Sequence, residues 1–246
     1  GVEYHYLMAY LGCYTSNVTI NEVGLAVSVT PNGPWVKVGD QSTAFRSYQN
    51  SSDFGDDGDK FWGYGQPSLL SVDGSGKVLL FYTKGVKIGT FTYVEEWDLS
   101  NLDEPALIRG AKLGDSGEIG ILNNADFAYD PVNNCIYCLK EDHDNGWYPT
   151  DGGVNWISGS NSLFYVTCLS TDKEFCDVLF RNHSWAKVGT VGAQQTGYPR
   201  NHNCGFLTDV YGRILNYERI SILYTMSCLA TDYPSWSKGG QWPALH

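Results

Sequence analysis

Aromatic rings and side-chain amides dominate the chemistry this chain offers. Its 17 Tyr, 8 Trp and 10 Phe exceed what small sheets need for packing, and aromatic faces beside amides and hydroxyls are how proteins hold neutral sugars. On predicted loops or strand starts stand Trp62, Tyr64, Gln66, Asn124, Asp126, Trp147, Tyr148, Trp156, Tyr198, Asn201, His202 and Trp242. These form the expected carbohydrate-binding set, with packing between sheets as the competing use of each ring. Two acidic runs, one holding Asp53, Asp56, Asp57 and Asp59 and the other Asp142 and Asp144, gather carboxylates beside Gly as Ca²⁺ loops do. Neither keeps the EF-hand spacing with its distal Glu, so solvated acidic loops are the reading and no metal or cofactor is expected. A nucleophile elbow, a phosphate loop and a metal-hydrolase motif are all missing from the sequence.

The charge balance narrows the partners. Asp and Glu total 27 against 16 Lys and Arg, a formal net charge of -11, which repels phosphate backbones and anionic membrane surfaces. Nucleic acid and membrane are therefore not expected as partners. The first residues carry no charged n-region or apolar h-region, so any export signal is expected to have been removed already. Seven cysteines suggest an oxidising compartment, and no pair has partners spaced for zinc. An odd count leaves one thiol for another chain or for burial. The sequons at Asn17, Asn50 and Asn182 join the cysteines in pointing to a secreted, extracellular, disulfide-bonded glycoprotein.

These residues need elements to position them, and the chain repeats one such element. Ser68 to Val72 and Val78 to Tyr82 flank Asp73-Gly74-Ser75-Gly76, a β-hairpin signal. The same grammar turns at Asp130 to Asn134 before Cys135 to Leu139, and turns at Asp209 with a return strand from Ile214. Glu3 to Leu11 matches the second strand of such a unit, and Gly24 to Thr30 follows as a third. A short outer strand recurs at Trp35, Trp185 and Trp236, where one residue type at one position reads as packing. Leu163 to Asp172 and Leu223 to Asp232 resemble each other as third strands. Helical periodicity is confined to Glu95 to Asn101 and Asp103 to Leu107.

The fold expected is therefore all-β: a single β-propeller domain over residues 1–246, of four-stranded antiparallel blades. Four repeat units are visible, with five blades as the alternative. With 42% hydrophobic and only 17% charged residues, the chain can bury the core this needs. Gly240 to Leu245 resembles Gly65 to Leu70, so the last residues are expected to supply the first strand of the first blade and remove an open edge.

Gly65-Gln-Pro-Ser-Leu-Leu70 with Gly76-Lys-Val-Leu-Leu-Phe-Tyr-Thr83, and Val27-Ser-Val-Thr-Pro-Asn-Gly-Pro-Trp35, resemble the blade grammar of the five-bladed β-propeller glycoside hydrolases of the arabinanase and xylosidase type. The resemblance implies three carboxylates at inner strand ends of different blades, and glycoside hydrolysis needs at least two across the scissile bond. The corresponding positions here carry Gln66, Asp126, Asn203 with Cys204, and Gln241. Only Asp126 is acidic. Glu118 or Asp115 is the second carboxylate an active hydrolase would need, with His202 to tune it. The catalytic set is thus incomplete, and Asp126 is expected to bond strand or turn amides. The leading expectation is a carbohydrate-binding or extracellular structural module on a glycosidase-like scaffold. An active glycoside hydrolase is the alternative. A homo-oligomer or polymer built by strand exchange or an unpaired Cys is the third reading.

Overall fold

The computed structural model describes residues 1–13, 21–39, 60–86, 89–113, 123–143, 159–168, 174–181, 185–198 and 200–227. Thirteen strands fill most of them. The first meander holds β1 (Tyr6–Cys13), β2 (Asn21–Ser28) and β3 (Val36–Lys37). The second holds β4 (Lys60–Ser71), β5 (Lys77–Val86), β6 (Gly89–Asp98) and β7 (Ala106–Leu113). In the third are β8 (Asn123–Asp130), β9 (Cys135–His143), β10 (Gly159–Thr167) and β11 (Ala186–Val191). The fourth contributes β12 (Arg200–Phe206) and β13 (Ile222–Ser227). Every pairing inside a meander is antiparallel. Single parallel bridges, Asn21 with Gly63 and Gly159 with Arg200, join the first meander to the second and the third to the fourth.

The chain is all-β, as read from the sequence, and both stretches with helical periodicity lie in β6, β7 and the turn between them. Among the described residues helix is limited to the turns Ala193–Thr196 and Asp177–Phe180. Among the described residues no helix is long and apolar enough to cross a membrane. No sheet closes on itself among them, and the tail expected to do so, Gln241 to Leu245, lies outside them.

Strand alternation explains how the meanders pack. On β5, Val78, Leu80 and Tyr82 face a layer shared with Val23, Leu25 and Val27 of β2, while Leu79 and Phe81 face the opposite layer with Phe127, Ile136 and Phe164. On β8 and β9, Ala128 and Leu139 face a third layer with Phe206 and Ile214. Among the described residues the four meanders, joined into a 7-stranded and a 6-stranded sheet, thus pack with three apolar layers between them. Phe81 and Phe127, fully buried, stack with ring centroids 3.9 Å apart, and each contributes roughly 1.5–3 kcal/mol of burial.

The hairpin turns at Asp73, Asp130 and Asp209 share one device. Each aspartate accepts from backbone N–H groups two or more residues on: Ser75 for Asp73, Val132 and Asn133 for Asp130, Tyr211 and Arg213 for Asp209. The last of these turns departs from the expected hairpin. Thr208 and Ile214 form only one bridge, because Ile214 N–H donates to the Tyr129 carbonyl and Tyr129 N–H to Gly212, tying the turn to β8. The return strand is β13, which pairs β12 directly. Leu223 onward is therefore a second strand, unlike its sequence counterpart Leu163, which lies in the third strand of its meander; an alternating apolar pattern suits any half-buried strand.

Candidate functional site

Alternating strand direction brings the ends of β1, β3, β5, β7, β9 and β11 and the starts of β2, β4, β6, β8, β10 and β12 to one end of the stack and the Asp-led turns to the other. The first end gathers buried polar side chains: Glu22, Thr83, Lys84, Thr92, Lys140, Glu141, Asn161, Ser162 and Asn201. Buried polar side chains at one end of a scaffold are where a binding site is built.

Three first strands carry the same irregularity there. Opposite β5, the register of β4 jumps between Gly65 and Ser68; opposite β9, that of β8 jumps between Asn123 and Asp126; opposite β13, that of β12 jumps between His202 and Gly205. In each case two residues face one, a β-bulge. The bulged pairs are Gln66-Pro67, Asn124-Ala125 and Asn203-Cys204. Gln66 and Asn203 hold left-handed backbones, φ +52° and +48°, where Gly is the easy choice. A carboxamide thus opens each bulge.

The registers also place Asp126 beside a different row from the one its sequence suggests. Its equivalents are Ser68 and Gly205, and those of Gln66 are Asn124 and Asn203. One Asp126 oxygen, Oδ1, accepts from Ser68 Oγ at 2.7 Å and Phe127 N at 3.0 Å, and Oδ2 accepts from Phe206 N at 2.8 Å. A single carboxylate on β8 therefore binds β4 on one side and β12 on the other. Cys204 stands close by, and burial pushes its thiol well up, with the Glu141, Asp126 and Asp142 carboxylates adding to the effect. A thiol so raised stays protonated near neutrality.

Around the bulges the polar contacts are specific. Thr83 Oγ1 lies 3.0 Å from the Gly65 carbonyl and 3.1 Å from Gln66 Oε1. Asn203 N–H donates to Glu141 Oε1 at 3.3 Å. Lys140 Nζ meets Asp142 Oδ1 at 2.5 Å, and Ser162 Oγ donates to Asp142 Oδ2 while lying 2.9 Å from Thr190 Oγ1. Both Asp142 oxygens are thereby engaged, and among the described residues no three His, Cys, Asp or Glu side chains cluster as a metal site. Asn201, fully buried, donates to the Tyr198 carbonyl at 3.0 Å, and the Thr196 hydroxyl accepts from Tyr198 N–H at 3.1 Å. These bonds present Tyr198 at the loop end with 36% of its surface exposed.

Of the residues expected to bind sugar, the structure brings Gln66, Tyr198 and Asn201 to this end. Tyr64 is buried in the layer between the first two meanders, edge-on to Tyr82. Trp62, Asn124 and His202 are placed by their backbones in β4, β8 and β12, and their side chains lie outside the described residues. Also outside are Asp115, Glu118, Trp147, Tyr148, Trp156 and Trp242, the sequons at Asn17, Asn50 and Asn182, and the acidic residues Asp53, Asp56, Asp57, Asp59 and Asp144. Asn203 stands outside the expected binding set, although its place in the repeat, equivalent to Gln66, signals it. Lys140 and Glu141, charges ending an apolar strand, were an unused signal too.

No family model matches the chain, and no curated protein matches it significantly. Among solved structures, an endo-arabinase from Bacteroides thetaiotaomicron superposes on 92% of this chain and 72% of its own, at 13% identity and a TM-score of 0.44. That is a distant likeness to a glycosidase scaffold, and it carries no chemistry across.

Proposed function

We propose that the chain is a secreted β-propeller glycoprotein that binds neutral carbohydrate at its loop end without hydrolysing it. The observation that carries this is the repeated bulge, which opens with Gln66, Asn124 and Asn203 on three neighbouring first strands. Carboxamides donate and accept without charge, as sugar hydroxyls require. Holding Gln66 and Asn203 in left-handed backbone costs stability that Gly would not, and such strain is retained where side chains serve a purpose. Tyr198 adds an exposed ring for a sugar face. Asp126, equivalent in register to Ser68 and Gly205, is occupied in joining strands, which favours binding over the two-carboxylate chemistry of a hydrolase.

On this reading residues 1–246 form one domain whose meanders stand around an axis lined by β4, β8 and β12, with Gln241 to Leu245 pairing β1. A glycan array probed with the wild-type chain and with Tyr198→Ala and Asn203→Gly tests it. Expected is a signal on neutral glycans that both substitutions weaken. The absence of any signal on a folded, unsubstituted chain would remove the proposal. Mass before and after N-glycan removal from protein secreted by a eukaryotic host tests the glycoprotein assignment, which predicts a loss of mass.

A further inference from the structure

Among the described residues no two sulfurs lie at disulfide bonding distance, yet one pair is in contact. Cys168 Sγ lies 3.0 Å from Cys176 Sγ, both buried in the layer between the second and third meanders. We infer that Cys168 and Cys176 are a disulfide-forming pair, cross-linking the end of β10 to the 3-10 turn that packs on β7.

Independent anchors hold the two ends. Cys168 N–H donates to the Asn134 carbonyl at 2.8 Å, and the Asn134 amide donates back to the Cys168 carbonyl at 3.0 Å. Asn134 is itself held by the Tyr129 hydroxyl at 2.8 Å. On the other side Arg109 of β7 donates to the Phe175 carbonyl at 2.9 Å and to the Asp177 carboxylate, so the residues flanking Cys176 are fixed to the second meander. Cys176 holds a left-handed backbone, φ +52°, an unfavoured conformation for a residue with a Cβ. Closing the sulfurs to about 2.05 Å needs about 1 Å of movement, within the reach of χ1 rotation at two side chains.

The step balances with a small-molecule disulfide such as oxidised glutathione as the oxidant. One cysteine, as thiolate, attacks the small disulfide, forming a mixed disulfide and releasing one small thiol. The second attacks the protein sulfur of that mixed disulfide and releases the other. Two protein thiols are oxidised, the small disulfide is reduced to two thiols, and the two thiol protons end on those products. Because both sulfurs are buried in the native fold, the exchange runs during folding, before the apolar layer closes.

Trypsin separates the pair, since Lys173 lies between them: Cys168 falls in Glu141 to Lys173 and Cys176 in Glu174 to Arg181, while Cys135 and Cys138 fall in a different peptide. The full chain is refolded in a buffer of reduced and oxidised glutathione, quenched with an alkylating agent and digested without reduction. The expected product is those two peptides joined, lighter by two hydrogens than their sum, and separated by reductant. Recovery of both peptides alkylated, or of Cys168 joined to Cys135 instead, would overturn the inference. A Cys176→Ala chain carried through the same procedure should yield Cys168 alkylated, and a Cys168 cross-link persisting there would also overturn it.

Discussion

The hydroxyl of Ser68 on β4 donates to the carboxylate of Asp126 on β8 at 2.7 Å, at the same position in the repeated bulge on both strands. With Phe206 N–H at the other oxygen, Asp126 joins three meanders through one side chain. Replacing it by Ala strands a hydroxyl and an N–H from neighbouring strands, and about 2–3 kcal/mol of stability should go. Ser68→Ala should cost about 1 kcal/mol, and the double substitution less than the sum of the two. Urea unfolding of the four chains measures the coupling.

Left-handed backbone at Gln66 and Asn203 separates stability from recognition. Gly at either position relieves strain of about 1 kcal/mol while deleting the amide, so Gln66→Gly and Asn203→Gly should hold or raise the urea midpoint as glycan binding falls. A loss of stability with binding unchanged would assign both amides to packing.

Gly63 forms the single parallel bridge between the first two meanders. Its φ is +82°, and a Cβ there would sit 2.4 Å from the Asn21 carbonyl oxygen. Gly63→Ala should cost about 2–3 kcal/mol and loosen the first meander selectively. Hydrogen exchange should show amides of β1 and β2 losing protection ahead of those of β5 and β9.

How much of this was legible in the sequence varies by residue. The Asp-led turns read directly, because an aspartate that caps its own turn is a local device needing no distant partner. The bulges did not, since a bulge is defined by counting residues against a partner strand, and without that count Asp126 was placed in the row of Gln66 instead of Ser68. β13 was read as a third strand for a related reason: the capture of Ile214 by Tyr129 is a contact between meanders, invisible to a pattern read along one strand. The network of Lys140, Asp142, Ser162 and Thr190 spans three strands and required their register.

Alkaline pH provides a further check. Burial pushes the Cys135 thiol from 9.0 up to about 11, and the same cause raises the Tyr137 hydroxyl. A folded state that keeps these protons longer than the unfolded chain is favoured in full below pH 9.0 and loses that advantage as pH rises toward about 11. Stability should fall across that window, and less steeply in Cys135→Ala. Unfolding midpoints measured at intervals through the window test the sign.

Hydrolysis of aryl arabinofuranosides and xylosides, by the wild-type chain and by Asp126→Asn matched for folding, tests most directly whether Asp126 joins strands or performs chemistry. A carboxylate occupied by Ser68, Phe127 and Phe206 should leave both chains at the rate of buffer alone. Turnover by the wild type that disappears in a folded Asp126→Asn chain would contradict it and make this an enzyme.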